Sequence, residues 1–223
     1  EPVLPSVIRD MKVDGVLIES TDISRELVKR ISEYVPVVLL NYSLGDVKAS
    51  SVMPDNSQGI YQAVSYLYRL GHRKIAFFGV EPSLNLHAGL RFEAYLRAIR
   101  EMELVEKADY LKTPAVNSLT GKLEDQVREA MNQLLSLPKP PTAIIFAGDV
   151  YALAFLKEAR KRGIGVPEDI SLVGFDDVIS AGYSHPALTT IRMPLEDMGR
   201  TAVNADREEV RNPKKANVSV YPV

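Results

Sequence analysis

Cysteine is absent from the 223 residues, which excludes disulfides and thiol catalysis within this chain. Histidine is scarce: His72, His87 and His185 are the only three, far apart in sequence. No His/Cys cluster has the spacing of a zinc site, and neither metal nor cofactor is expected. An excess of one charge is also missing. The 27 basic and 29 acidic residues leave a formal net charge of -2, so no broad pull toward nucleic acid or an anionic membrane is implied. No apolar run is long enough to cross a bilayer. No secretory signal opens the chain. Its start, Glu1-Pro-Val-Leu-Pro-Ser-Val-Ile-Arg9, reads like the middle of a fold, so further sequence upstream is expected.

Enzyme signatures are lacking as well. There is no Gly-x-Ser-x-Gly elbow, no Gly-x-Gly-x-x-Gly after a strand, and Gly121-Lys122 lacks the upstream glycine of a phosphate loop. Asp176 and Asp177 are adjacent, so on a strand they would face opposite ways and make a poor acid/base pair. The expectation is a protein that is not an enzyme.

What is present is an ordinary globular composition, 46% hydrophobic and 25% charged. Short apolar runs alternate with helical stretches. Strands are expected at 15–18, 35–41, 51–53, 74–78, 143–146, 170–175 and 189–191. Several are rich in Val and Ile without alternation, as in parallel strands covered on both faces. Helices are expected at 24–34, 58–70, 91–102, 123–137, 150–162 and 195–210, with Gly71 and Gly163 as stop signals. This alternation predicts a doubly wound α/β fold with right-handed crossovers. The tail, Asn212-Pro-Lys-Lys-Ala-Asn-Val-Ser-Val-Tyr-Pro-Val223, reads as extended.

The most informative segment is Val166-Pro-Glu-Asp-Ile-Ser-Leu-Val-Gly-Phe-Asp-Asp177. Pro167 blocks helix continuation, and Ile170 to Phe175 suits a buried parallel strand. It ends in a pair of acids. In open α/β sheets ligands bind outside the carboxyl ends of strands, where a carboxylate can accept from hydroxyls or amines.

Gly163-Ile-Gly-Val-Pro-Glu-Asp-Ile-Ser-Leu-Val-Gly-Phe-Asp-Asp177, followed by Pro186-Ala-Leu-Thr-Thr-Ile191, resembles the effector-binding domain of the lactose/galactose-repressor (LacI/GalR) family. Val13-Asp-Gly-Val-Leu-Ile18, Val35-Pro-Val-Val-Leu-Leu40, Asp55-Asn-Ser-Gln-Gly59, Gly71-His-Arg-Lys-Ile-Ala76 and Pro141-Thr-Ala-Ile-Ile145 extend the resemblance over nearly the whole chain. The resemblance implies an α/β fold of two Rossmann-like subdomains with parallel sheets, joined by three crossovers, the effector lying in the cleft. It assigns 1–55 and 194–212 to an N-terminal subdomain and 56–193 and 213–223 to a C-terminal one. The family's first strand and helix and its DNA-binding helix-turn-helix have no counterpart here. The implied function is effector sensing in a cytoplasmic transcription regulator, a homodimer that meets operator DNA through the missing headpiece. The alternative is a periplasmic sugar-binding protein, which shares the fold.

Asp176 is the first candidate ligand contact. As an isolated residue it reads equally as a turn or cap; in the family the matching Asp contacts the effector. Arg91 is the second. It reads as an ordinary surface arginine, or, through the resemblance, as a guanidinium fork reaching ligand oxygens, although Ala94 stands where the family has glycine. Asp149 reads as an N-cap or as a ligand contact, and Gly148 before it replaces the family's usual Asn. Tyr42 is a candidate stacking face, Asp55 a crossover residue or helix cap, and Asn85 and His87 belong to the loop before Arg91. His72 reads as structural, near a helix C-terminus where positive charge is favourable.

Overall fold

The computed structural model describes residues 8, 13–19, 23–79, 86–104, 108–112, 123–212 and 218–223. The chain divides into two compact units, Glu1–Asp55 with Pro194–Pro222, and Asn56–Met193 with Val223. Both are α/β units built on parallel sheets.

The first unit carries four strands in the order β1-β2-β3-β9: β1 (Val16–Ile18), β2 (Val37–Leu40), β3 (Ser50–Pro54) and β9 (Val218–Tyr221). Helix α1 (Arg25–Ser32) starts at Ser24, whose hydroxyl accepts from the Leu27 amide at 3.2 Å. It lays Val28 and Ile31 over Val37, Leu39 and Tyr42, because residues three apart share a helix face and alternate strand residues share a sheet face. Helix α7 (Leu195–Arg211) packs along β1, β2 and β3, burying Met198 and Ala202.

The tail is a correction. The resemblance implies a place in the second subdomain, but β9 pairs in parallel with β3, Ser51 opposite Val218 and Met53 opposite Val220. It therefore belongs to the first unit. The alternation Val218-Ser-Val-Tyr221 suits an edge strand with one half-buried face. Tyr221 is fastened by a 2.5 Å hydrogen bond between its hydroxyl and that of Thr201.

The second unit has five strands in the order β5-β4-β6-β7-β8: β4 (Ile75–Phe78), β5 (Leu111–Lys112), β6 (Ala143–Phe146), β7 (Ser171–Asp176) and β8 (Thr189–Arg192). All neighbours are parallel. Every residue of β4 and β6 is buried, which is why neither shows an alternating pattern. Around them stand α2 (Asn56–Arg69), α3 (Leu86–Glu101), α4 (Leu123–Leu135), α5 (Asp149–Lys161) and the short α6 (Ile179–Tyr183). The core on one face joins Phe78, Phe146, Phe155, Met131 and Leu134.

Helix α5 ends where Gly163 takes φ +69°, a conformation that L side chains rarely adopt. The Ile164 amide then donates back to Ala159 O at 3.0 Å, closing the last turn. His72 has the structural placement expected of it. Its Nδ1 lies 2.9 Å from Thr142 Oγ1, joining the segments that lead into β4 and β6. Strand β5 and helix α6 were not anticipated; two residues and five residues are too short for a periodic signal.

Candidate ligand-binding site

The carboxyl ends of β6 and β7 bring Asp176, Asp149 and Arg91 together. Asp176 is the last residue of β7, and the backbone swings out of the strand there, with φ +118° at Asp176 and +58° at Asp177. Two successive non-glycine residues with positive φ are costly, which marks this end as over-determined by its surroundings. The turn also separates the two acids. Asp176 faces Arg91, whereas Asp177 Oδ2 accepts from Arg192 Nε at 2.5 Å.

Arg91 lies within α3, not at its start. The helix begins at Leu86, so the expected boundary at 91 was five residues late. The side chain is buried, and its donors are directed to protein acceptors. Nε donates to Asn56 Oδ1 at 2.8 Å, Nη1 to Ala147 O and, at 3.2 Å, to Asp176 Oδ1; Nη2 lies 3.9 Å from Met193 Sδ. The guanidinium carbon sits 3.6 Å above the centre of the Phe175 ring. That ring is in turn pressed by α2: a Cβ at Gly59 would fall 2.7 Å from Phe175 Cε2. The arginine named as a candidate ligand contact is engaged with the Asp176 carboxylate. Burial works against its charge and Asp176 works for it; an arginine in such a pair stays protonated.

Asp149 is fully buried at the first position of α5, and its carboxylate does not cap that helix. Gly148 occupies the N-cap position without a side chain. Asp149 Oδ2 accepts from the Val178 amide at 2.9 Å, and Oδ1 from Thr190 Oγ1 at 2.6 Å. It thus ties β6 to the turn after β7 and to β8. Gly174 permits this, because a Cβ there would lie 2.0 Å from Asp149 Oδ1. Burial pushes the Asp149 carboxyl upward, opposed by the hydrogen bonds from Thr190 and the backbone. Burial also raises Asp176; Arg91 pulls it back, while Asp149 adds to the rise. The Asp149 amide bonds to the Asp176 carboxylate, so the positive end of α5 is met by an acid from β7.

Tyr151 was missed in the sequence. It stands one helical turn after Gly148, half-buried against Phe78, and burial and Asp176 together raise its phenol. The i, i+3 spacing from Gly148 on an expected helix was the available signal.

The remaining candidates are placed separately. Tyr42, just past β2, is 5% exposed and belongs to the first unit's core. Its hydroxyl and Asn41 Oδ1 are buried without a hydrogen-bond partner among the described residues, and burial raises the phenol, with Glu19 adding to it. Asp55 follows β3, half-buried, and its amide donates to Tyr221 O at 2.6 Å. Asn85 lies outside the described residues; His87 has its backbone in α3 and its side chain outside them. Among the described residues no group of His, Cys, Asp or Glu could hold a metal ion, and no helix is long and apolar enough to cross a membrane.

Known proteins share this fold. The family described as periplasmic binding protein-like domain matches residues 64–223. The HTH-type transcriptional repressor PurR of Escherichia coli O139:H28 is 31% identical over 223 residues, covering 97% of this chain and 63% of that protein. The chain therefore spans less than two thirds of that relative's length. Among solved structures, a LacI transcriptional regulator from a Rhodococcus species superposes with a TM-score of 0.83 and 27% identity, over 97% of this chain and 77% of the other. The transcriptional regulator CelR in complex with cellobiose gives a TM-score of 0.83 and 25% identity, over 97% and 65%. The chain belongs to the periplasmic-binding-protein-like family, as a domain of the LacI/GalR type whose motifs its sequence resembles.

Proposed function

We propose that this chain is the effector-sensing part of a bacterial DNA-binding transcriptional regulator, a repressor. It binds a small polar ligand, a sugar or sugar derivative, at the carboxyl edge of the second unit's sheet. The observation that carries this reading is Asp176: a carboxylate at a strand's carboxyl end, one-third exposed, clamped from behind by a buried arginine. A clamped, partly open carboxylate is preorganised to accept hydrogen bonds from ligand hydroxyls. Asp149 fixes the turn that presents Asp176, and Arg91 fixes its orientation. Asn85 and His87, which precede Arg91 in the chain, are further contacts under this reading.

The kinship supports the regulatory part: the relative at 31% identity is a helix-turn-helix repressor. The sugar is supported by the cellobiose complex of CelR. None of these relatives is named as an enzyme, in keeping with a non-catalytic role. Binding changes operator affinity through a DNA-binding segment of the full protein, by the ligand's differential affinity for two states. The working form is a cytoplasmic homodimer, whose two-fold symmetry matches a palindromic operator.

Genome-wide precipitation of the tagged full-length protein with its bound DNA tests the role. Discrete, two-fold-symmetric sites are expected; an absence of enriched sites refutes it. For the site, a ligand that raises the melting temperature of the wild type should leave Asp176→Ala unshifted.

A further inference from the structure

The chain passes between its two units three times, at 55–56, 193–194 and 222–223. On the second unit's side of these crossings stand Asn56, Met193 and Val223, and all three lead to one pair of stacked side chains. Arg91 Nε donates to Asn56 Oδ1 at 2.8 Å, and Arg91 Nη2 lies 3.9 Å from Met193 Sδ. The Arg91 guanidinium rests on the Phe175 ring. That ring and Val223 converge on Gly59 of α2, where a Cβ would fall 2.7 Å from Phe175 Cε2 and 2.8 Å from Val223 Cγ2. Gln62, three residues further along α2, donates from Nε2 to Val223 O at 3.3 Å.

The stack consists of two rigid groups. A guanidinium is planar and moves as one body, so a turn of Nη1 toward Asp176 turns Nε and Nη2 with it. Asn56 and Met193 both feel that turn. Phe175 and Asp176 are consecutive on β7, so a displaced carboxylate also reaches the ring and, past it, Gly59 and Val223. Asn56, Arg91, Phe175 and Met193 are all buried, so a polar contact given up here is costly to lose.

We infer that the Arg91–Phe175 stack anchors all three crossings together, and that the Asp176 carboxylate, bonded to Arg91 Nη1 at 3.2 Å, sets how firmly it holds them. Arg91 and Phe175 are thus positioning residues. A change at Asp176 is passed to the points where the chain leaves the unit. The anchoring is independent of what Asp176 binds; that a ligand acts through it rests on the ligand-site reading above.

Hydrogen exchange of the full-length protein, read by mass spectrometry in the segments flanking the three crossings, tests this. Gly59→Ala is the leading variant. Alanine suits a helix better than glycine, so α2 itself should not weaken, but the added methyl wedges Phe175 from Val223. Exchange at all three crossings should rise together, at least about tenfold, the scale of one lost charge-assisted hydrogen bond. Phe175→Leu, which takes the ring from beneath Arg91, should act alike and keeps the test open should the alanine protein misfold. Asp176→Asn should raise exchange at the same three places by less. Phe155→Leu is the control: this phenylalanine is also buried, but it packs on Phe146 and should leave the crossings as in the wild type. A rise at one crossing alone, no rise in either Gly59→Ala or Phe175→Leu, or an equal rise in Phe155→Leu overturns the anchoring. Unchanged exchange in Asp176→Asn overturns the part given to the carboxylate. Cellobiose, ribose and glucosamine serve as ligand probes. One whose melting-temperature shift is lost in Asp176→Ala should slow exchange at the crossings of the wild type and not of Phe175→Leu; binding without that slowing overturns transmission through the stack. If no probe depends on Asp176, the ligand-site reading loses its support, while the variants alone still decide the anchoring.

Discussion

Arg91→Lys separates a framework arginine from a ligand-gripping one. The substitution keeps the charge and most of the length but replaces a planar fork by a single ammonium. In the protein, Nε and Nη1 serve acceptors in different directions: Asn56 Oδ1, Ala147 O and Asp176 Oδ1. A lysine reaching Asp176 abandons Asn56 or Ala147, in a pocket where Arg91 is only 5% exposed. A lost hydrogen bond to a charged donor costs about 1.5–3 kcal/mol, and stacking over Phe175 adds about 0.5–1. The Asp176 pair itself contributes little of this, because its carboxylate is one-third exposed and the ion pair survives in lysine. The terms overlap, so a net loss of about 2–4 kcal/mol is expected. Urea denaturation followed by circular dichroism reads it as a lower midpoint, fitted separately for each transition if the two units melt apart. A midpoint unchanged in the ligand-free protein would refute the reasoning. The arginine would then be free to serve a ligand directly.

Two further outcomes follow from the buried acid. Asp149 has a raised carboxyl value, so the folded state holds its proton more tightly than the unfolded chain, and its stabilising effect is greatest in acid. That contribution declines as pH rises from the ordinary carboxyl value through the raised one. Asp149→Asn should therefore gain on the wild type across that window; urea unfolding at a series of pH values checks it, and an advantage for the wild type that grows with pH contradicts it. Gly174→Ala places a methyl group 2.0 Å from Asp149 Oδ1 inside a packed strand, so a loss of about 1–3 kcal/mol is expected. Thermal unfolding reads this loss, and an unshifted melting temperature would show that the carboxylate moves freely.

Local pattern carried most of the fold and little of the tail. Ile75 to Phe78 and Ala143 to Phe146 are short, unbroken apolar runs, and they are the strands buried on both faces. Gly71 and Gly163 marked helix ends and do have positive φ. The tail reads only as extended in sequence; the partner of its strand lies 167 residues earlier, Ser51 opposite Val218, and local pattern says nothing about partners. Assigning it by resemblance put it on the wrong unit, whereas its register with β3 places it on the first.

The site shows the same divide at finer scale. Asp176, Asp149 and Arg91 could be singled out one by one, because strand ends and helix starts are visible in sequence. Their relations could not. Arg91 meets its partners across separations of 35, 56, 85 and 102 residues, on four different segments, and that convergence decides what the arginine does. A guanidinium with an open face would be a ligand group; one with its donors committed to Asn56, Ala147 and Asp176 is a support. Asp149 makes the point again, since its place at the start of α5 suggested a cap, while its oxygens serve Val178 and Thr190. The negative charge of Asp176 is thus held by one buried cation and one helix amide.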